Sequence, residues 1–296
     1  MRGLARLLEA VAVVWLAVTL AFFALQVMPG DVALESLSAS GASPTVIEER
    51  RSQLGLDLAP LDQYLRYLGG LATGSLGISL LDGRPVSEIL GQQAPSTVML
   101  AIAAGLVTIV VGLPVGILAA GRGPAGLPGR VALGMMMSVP VLWAGTLALA
   151  LFGSSQAGVH GVLIPALVLG LSGAGAFGLV AERAISDTQV QPFVRTAHAK
   201  GLRGRDVQWR HVLRASASPI LIAFMLQFGF LLSGAVLTEA IFNRPGIGRL
   251  LVQAALRQDY PVVLGVVVWS AIWYGSLLLA ADLLARRLDP RLGQGQ

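Results

Sequence analysis

The sequence predicts an all-α protein that crosses a lipid bilayer about six times, and three observations carry that prediction. Of 296 residues, 55% are hydrophobic and only 12% charged, whereas an ordinary soluble domain carries roughly a quarter charged residues. Mean hydropathy is +0.73. Charges are absent from Ala10 to Gly30, Ile89 to Gly121, Val131 to Ala181, Ala215 to Thr238 and Tyr260 to Ala281. Each run meets the ~20 residues a helix needs to cross ~30 Å of hydrocarbon. The 36 glycines suit closely packed membrane helices, and the absence of cysteine excludes disulfides, thiolate metal sites and cysteine nucleophiles.

Taken in order, Ala10 to Gly30 is the first span; it lacks an Ala-x-Ala cleavage pattern and reads as retained. An acidic segment from Asp31 to Glu88 follows. Ser43 is its expected helix N-cap, with Pro44 at the first helical position, Glu48 and Glu49 early in the helix and Gly55 as the stop. A second short helix is expected after Pro60, with Leu61, Tyr64, Leu65 and Leu68 on one face. This segment reads either as a cap over the span ends or as a docking surface for an extracellular partner. Ile89 to Gly121 is the second span. The run from Val131 to Ala181 is too long for one crossing and is broken near Gly153 to Gly161, giving the third and fourth. Pro114, Pro140 and Pro165, with the Gly112 to Gly116 pair, read as tolerated kinks and close packing rather than as a substrate site.

Residues 182–218 form a long segment with seven basic side chains. Gln191 and Pro192 mark a turn, Phe193 to Lys200 a short helix ended by Gly201, and Asp206 to Ala217 a basic helix leading into the fifth span. A loop this long and basic suits a soluble partner or the membrane lipid surface. Glu239 and Asp282 are expected at span ends near water. With both termini inside, the inner segments hold 14 of the 21 basic residues and six acids, the outer segments seven and ten, so the faces differ as +8 against −3. The net charge of +5 is therefore a topology signal rather than a sign of nucleic-acid binding.

Enzymatic motifs fail. Lys200 is the only lysine and lies between Ala199 and Gly201, so no Gly-Lys-Ser/Thr phosphate loop exists. Gly-x-Gly-x-x-Gly occurs at Gly121, Gly123 and Gly126 and again at Gly173, Gly175 and Gly178, in neither case between a strand and a helix. His160, His198 and His211 have no metal-ligand spacing, and no Gly-x-Ser-x-Gly elbow is present. The middle spans carry no ionisable group apart from His160 at a loop, which argues against ion-coupled transport.

The order of short motifs resembles that of the permease subunits of ATP-binding-cassette (ABC) importers, in the dipeptide, oligopeptide and nickel branch, over nearly the whole chain. It runs through Met28-Pro29-Gly30-Asp31, Leu54-Gly55-Leu56-Asp57, Gln63-Tyr64 with Tyr67-Leu68, Gly74-Ser75-Leu76-Gly77-Ile78-Ser79, Pro85-Val86, and Ser138-Val139-Pro140 with Trp143 and Gly145. After the fifth span come Glu239-Ala240-Ile241-Phe242-Asn243-Arg244-Pro245-Gly246-Ile247-Gly248-Arg249-Leu250 and Arg257-Gln258-Asp259-Tyr260-Pro261, and Asp289-Pro290-Arg291 closes the series. Phe193-Val194-Arg195-Thr196-Ala197-His198-Ala199-Lys200-Gly201-Leu202, with His211 and Leu213, is similar to the segment that couples importer permeases to their ATPases. Arg195-Thr196-Ala197 stands where the general motif has Glu-Ala-Ala, and Leu213-Arg214 where it has Leu-Pro. The link near Gly153 to Gly161 is shorter than the branch leads one to expect.

The resemblance implies a type I ABC importer permease fold: a first transmembrane helix (1–30), an extracytoplasmic segment (31–91), a transmembrane domain (92–286) containing the coupling segment 182–218, and a tail (287–296). It implies a non-enzymatic subunit of a bacterial cytoplasmic (inner) membrane importer with both termini cytoplasmic. It also implies a second homologous permease, two ATPase subunits carrying ATP and magnesium, and an extracytoplasmic substrate-binding protein, with no cofactor or metal bound by this chain. Peptides are the expected substrate and nickel or a metal chelate the alternative; a stand-alone secondary transporter and an intramembrane enzyme are the readings from other classes.

Overall fold

The computed structural model describes residues 2–27, 43, 45–46, 48–49, 52, 55, 57–121, 123–153 and 160–288. Among them no strand occurs, only an isolated bridge between Ile78 and Pro85. The helices are α1 (Arg2–Val27), α2 (Pro60–Ala72), α3 (Val86–Ala119), α4 (Leu127–Ser138), α5 (Val141–Phe152), α6 (His160–Gln189), α7 (Pro192–Ala199), α8 (Leu213–Ile241), α9 (Ile247–Leu256) and α10 (Tyr260–Leu288). A π-helical turn, Val207–Val212, leads into α8. By length and composition α3, α6, the α8 region and α10 can each cross a membrane, α4 with α5 forms a bent pair, and α1 is apolar over Val11–Val27.

Every expected span is helical, but the third is not one helix. It breaks at Ser138-Val139-Pro140, where α4 and α5 meet at 84°. Proline has no N–H to give the helix ladder and pushes the residue before it into extended backbone, and Val139 has φ −84 and ψ 116. The motifs Met28 to Asp31 and Asp289 to Arg291, with Pro44, Leu54, Leu56 and residues 154–159 of the short link, lie outside the described residues. Thr45, Val46, Glu48, Glu49 and Ser52 are helical, and Gly55, with φ +71, donates its N–H to the Ser52 carbonyl.

The chain divides into two compact units, Met1–Ser96 with Pro245–Gly275, and Thr97–Arg244 with Ser276–Gln296. In the first, Val86, Ile89 and Leu90 of α3 pack on Ile247 and Ala254 of α9 and on Val262, Val263 and Val266 of α10. Helix α2 starts at Pro60, whose missing N–H costs nothing in the first turn. It packs Tyr64, Tyr67 and Leu68 against Phe22 and Leu264, and the Tyr64 hydroxyl lies 2.7 Å from Thr19 Oγ1. Leu61 and Leu65, expected on the same face, are 60% and 56% exposed. The two tyrosines, with larger apolar faces, decide which side of this short helix is covered.

In the second unit, Leu100 and Ala104 of α3 meet Ala166 and Leu169 of α6 and Leu231 and Ala235 of α8. The Gly112 to Gly116 pair acts in packing. A Cβ at Gly112 would stand 2.8 Å from the Ala174 carbonyl oxygen, and one at Gly116 2.7 Å from that of Gly178, both on α6. Real Cβ atoms do not approach backbone this closely, so Gly112→Ala should destabilise by about 1–3 kcal/mol and lower the unfolding temperature in detergent. Gly91→Ala on the same helix, where a Cβ meets nothing within 4 Å, should be neutral or mildly stabilising, since alanine is favoured over glycine in helices by about 1 kcal/mol.

Candidate functional site: a basic segment and a polar latch

Helix α6 continues to Gln189, so the segment expected outside the spans, 182–218, narrows to a turn, α7 and the π-helical turn. Gln191 is extended and Pro192 opens α7. Val194 and Ala197 point inward and pack with Ala120, Ile185, Val207 and Val212, with Leu213 at the margin. The other face is exposed and carries Phe193, Arg195, Thr196, His198, Ala199 and Lys200; Leu202 is exposed beyond it, and His211 is half-buried. Trp209, which the motif did not single out, is 58% exposed between Arg205 and Arg210.

The end of α7 is a Schellman motif. The Leu202 N–H donates to the Ala197 carbonyl and the Gly201 N–H to that of His198. This turn needs a left-handed residue, and Gly201 has φ +79. Space does not select the glycine, because a Cβ there would meet nothing within 4 Å; only the backbone conformation does. Polar contacts hold the segment to α6: Ser216 Oγ reaches the Ala184 carbonyl and Thr188 Oγ1, and Gln189 Nε2 donates to Gln208 Oε1 at 3.2 Å. Arg130 Nε pairs with Glu182 at 3.4 Å.

The motif after the fifth span divides between the units at Arg244 and Pro245. In the second unit, Glu239, expected near water, is completely buried and accepts a 2.6 Å hydrogen bond from Thr97 Oγ1. A buried carboxylate needs such partners, and sequence position at a helix end did not reveal that α3 covers it. Arg244 folds back so that its N–H donates to the Glu239 carbonyl, while Nη1 donates to the Gly161 carbonyl at 2.6 Å. Burial lowers the Arg244 pKa, and the Glu239 carboxylate offsets only part of that shift. Asn243 takes the turn with φ +50, and Phe242 is buried near Gly145.

In the first unit, Pro245 is exposed while Gly246 and Gly248 are buried at the start of α9. Asp259, 4% exposed, accepts from Ser79 Oγ at 2.5 Å and from the Leu80 N–H at 3.1 Å. Ser79 Oγ in turn accepts from the Asp82 N–H, so one carboxylate organises the turn before α3. The Gly74-to-Ser79 and Asp259-Tyr260-Pro261 motifs, far apart in sequence, thus form one latch. Tyr260 and Pro261 also line a cavity of about 450 Å³ with Phe22, Arg66, Tyr67 and Leu264. The buried Tyr67 hydroxyl has its pKa pushed up to about 12 by desolvation.

A hydrogen bond to a charged group contributes about 1.5–3 kcal/mol. Asp259→Ala should therefore destabilise by at least that order and speed amide hydrogen exchange at Leu80, with Asp259→Asn, which keeps an acceptor, milder on both readouts.

Residues 112–294 match the family model described as binding-protein-dependent transport system inner membrane component. A Brucella abortus (strain 2308) protein named as a candidate peptide transport system permease is 31% identical, with 98% of each chain covered. The glutathione transport system permease protein of Escherichia coli (strain K12) is 30% identical, with 97% of each covered. Among solved structures, an inward-facing methionine ABC transporter matches with a TM-score of 0.58 at 16% identity, covering 68% of this chain and 96% of the other. An amino acid ABC transporter matches at 0.53 and 15%, covering 69% and 94%; both share the fold. A helical membrane chain without a nucleotide loop, matched in family and in fold, belongs to the binding-protein-dependent transport system inner membrane components, the permease subunits of ABC importers.

Proposed function

We propose that this permease imports di- or oligopeptides across the cytoplasmic membrane, with both termini inside, as one of two similar permeases enclosing a path. Two ATPase subunits bind below, and a binding protein delivers substrate from the outer side. The observation that favours peptides is that full-length relatives carry names for peptide and glutathione transport, glutathione being itself a small peptide. The transmembrane domain, 92–286, would carry translocation, and the outer segment, 31–91, with the latch at Asp259 would take part in docking the binding protein.

Helix α7 is the proposed contact with the ATPases. Its inward face is packed on α6 and the π-helical turn, its outward face is free to carry Phe193, Arg195, Thr196 and Lys200 to a partner, and its end is locked at Gly201. A short helix fixed on one side and exposed on the other transmits displacement as a rigid lever. The basic side chains on and around it suit an acidic surface on the partner.

Reconstitution tests this directly. The chain, co-expressed with the partner subunits encoded beside it and placed in proteoliposomes, should take up labelled peptide only with ATP and a loaded binding protein. Uptake of nickel or a metal chelate in place of peptide would replace the substrate reading, and ion-driven uptake by the chain alone would replace the importer. At Gly201 the order of uptake should be Gly, then Asn, then Ala, then Val or Trp, because asparagine tolerates left-handed backbone best and β-branched residues worst. ATP hydrolysis should survive better than uptake. Normal uptake by Gly201→Trp would refute the lever.

A further inference from the structure

Among the described residues, the break between α4 and α5, at 84°, interrupts an apolar helix pair that together is long enough to cross a membrane. Its depth is set by contact. A Cβ added to Gly175 would lie 2.6 Å from the Met137 backbone nitrogen and 3.1 Å from the Met136 carbonyl carbon, and Gly175 stands midway along the membrane-spanning helix α6. No charged residue lies between Val131 and Ala181, so nothing in the sequence draws the break toward either water interface.

Ser138, Val139 and Pro140 are all exposed. Pro140 has no N–H, and the Val139 N–H makes no hydrogen bond among the described residues. The Ser138 hydroxyl is already given to the Gly134 carbonyl at 2.7 Å, and no side chain caps the start of α5. The last carbonyls of α4 and the first N–H groups of α5 are therefore without helical partners. Hydrocarbon cannot satisfy them, and irregular backbone is tolerated at this depth only where it is buried in protein or lines a water-filled cavity.

We propose that Ser138-Val139-Pro140 lines the hydrated translocation path, so that the imported solute passes over this break. The inference rests on the importer reading above. The last carbonyls of α4 and the first N–H groups of α5 supply acceptors and donors close together in the chain, which a peptide backbone can match without regard to its side chains. The flanking Met135, Met137 and Trp143, 66%, 58% and 60% exposed, supply flexible and aromatic apolar surface suited to varied side chains. The combination fits a path that accepts many peptides rather than one.

The chain contains no cysteine, which makes the test clean. Ser138→Cys, Val139→Cys and Val110→Cys would be introduced singly into the assembled importer in proteoliposomes. Val110 lies on α3 and is 68% exposed. Reaction with a membrane-impermeant sulfonated maleimide would be read on this chain by intact mass, with and without ATP. Each unit by which apolar surroundings raise a thiol pKa cuts the reactive thiolate about tenfold, so the 138 and 139 variants should react at least ~10-fold faster than Val110→Cys, and their modification should block peptide uptake. Ser138→Cys replaces one small side chain by another and serves if Val139→Cys fails to assemble. Reaction at 138 and 139 no faster than at 110 in either nucleotide state would overturn the proposal and bury the break against another subunit. Fast reaction that leaves uptake intact would overturn it equally. If the cysteine-free importer takes up no peptide while its Ser138→Cys and Val139→Cys variants label fast, the peptide reading is refuted and the hydrated break stands.

Discussion

Lipid offers no hydrogen bonds to a peptide backbone, and most of this molecule follows from that constraint. It makes the long uncharged runs helical, since only a helix satisfies its own N–H and C=O groups within one segment. It also gives meaning to the exposed break at Ser138-Val139-Pro140. A soluble protein could hydrate such a bend anywhere on its surface. A membrane protein can do so only where water or another protein chain reaches it.

Between helices the driving force changes character. Lipid tails are as apolar as leucine, so packing in the bilayer depends on close approach rather than on escape from solvent. Gly112 and Gly116 meet the α6 backbone at distances that admit no Cβ, and Gly175 meets α4 in the same way. These contacts pack α4 and the part of α3 beyond Thr97 closely against α6. Helix α7 is mounted on the same unit, because Val194 and Ala197 are seated on the end of α6 and on the π-helical turn. The proposed lever needs such a mounting, and a left-handed residue at Gly201 allows the chain to leave it sharply.

Buried polar groups fix the turns between helices. Glu239 with Thr97, and Asp259 with Ser79 and the Leu80 N–H, each join segments far apart in sequence. Such groups are costly to bury and worth retaining only when their partners are positioned. They trade some stability for a unique arrangement of turns.

Periodicity and charge were enough to establish the helical membrane class, the runs that become spans, the helix stopped at Gly201 and the lack of a nucleotide loop, because these depend on local chain chemistry. Motif order was enough to point to the family. Other features depend on what lies across the fold and were not legible. Glu239 looked interfacial until α3 covered it, and Leu61 and Leu65 looked buried until the tyrosines of α2 took the packed face. Pro140 announced a kink but not an 84° break, since proline removes one hydrogen bond and the angle is then chosen by the packing of α4 on α6. The pairing of Asp259 with Ser79 spans 180 positions. No pattern in a sequence encodes such a contact by itself, because a hydrogen bond depends on where two groups end up in space and not on how they are spaced along the chain.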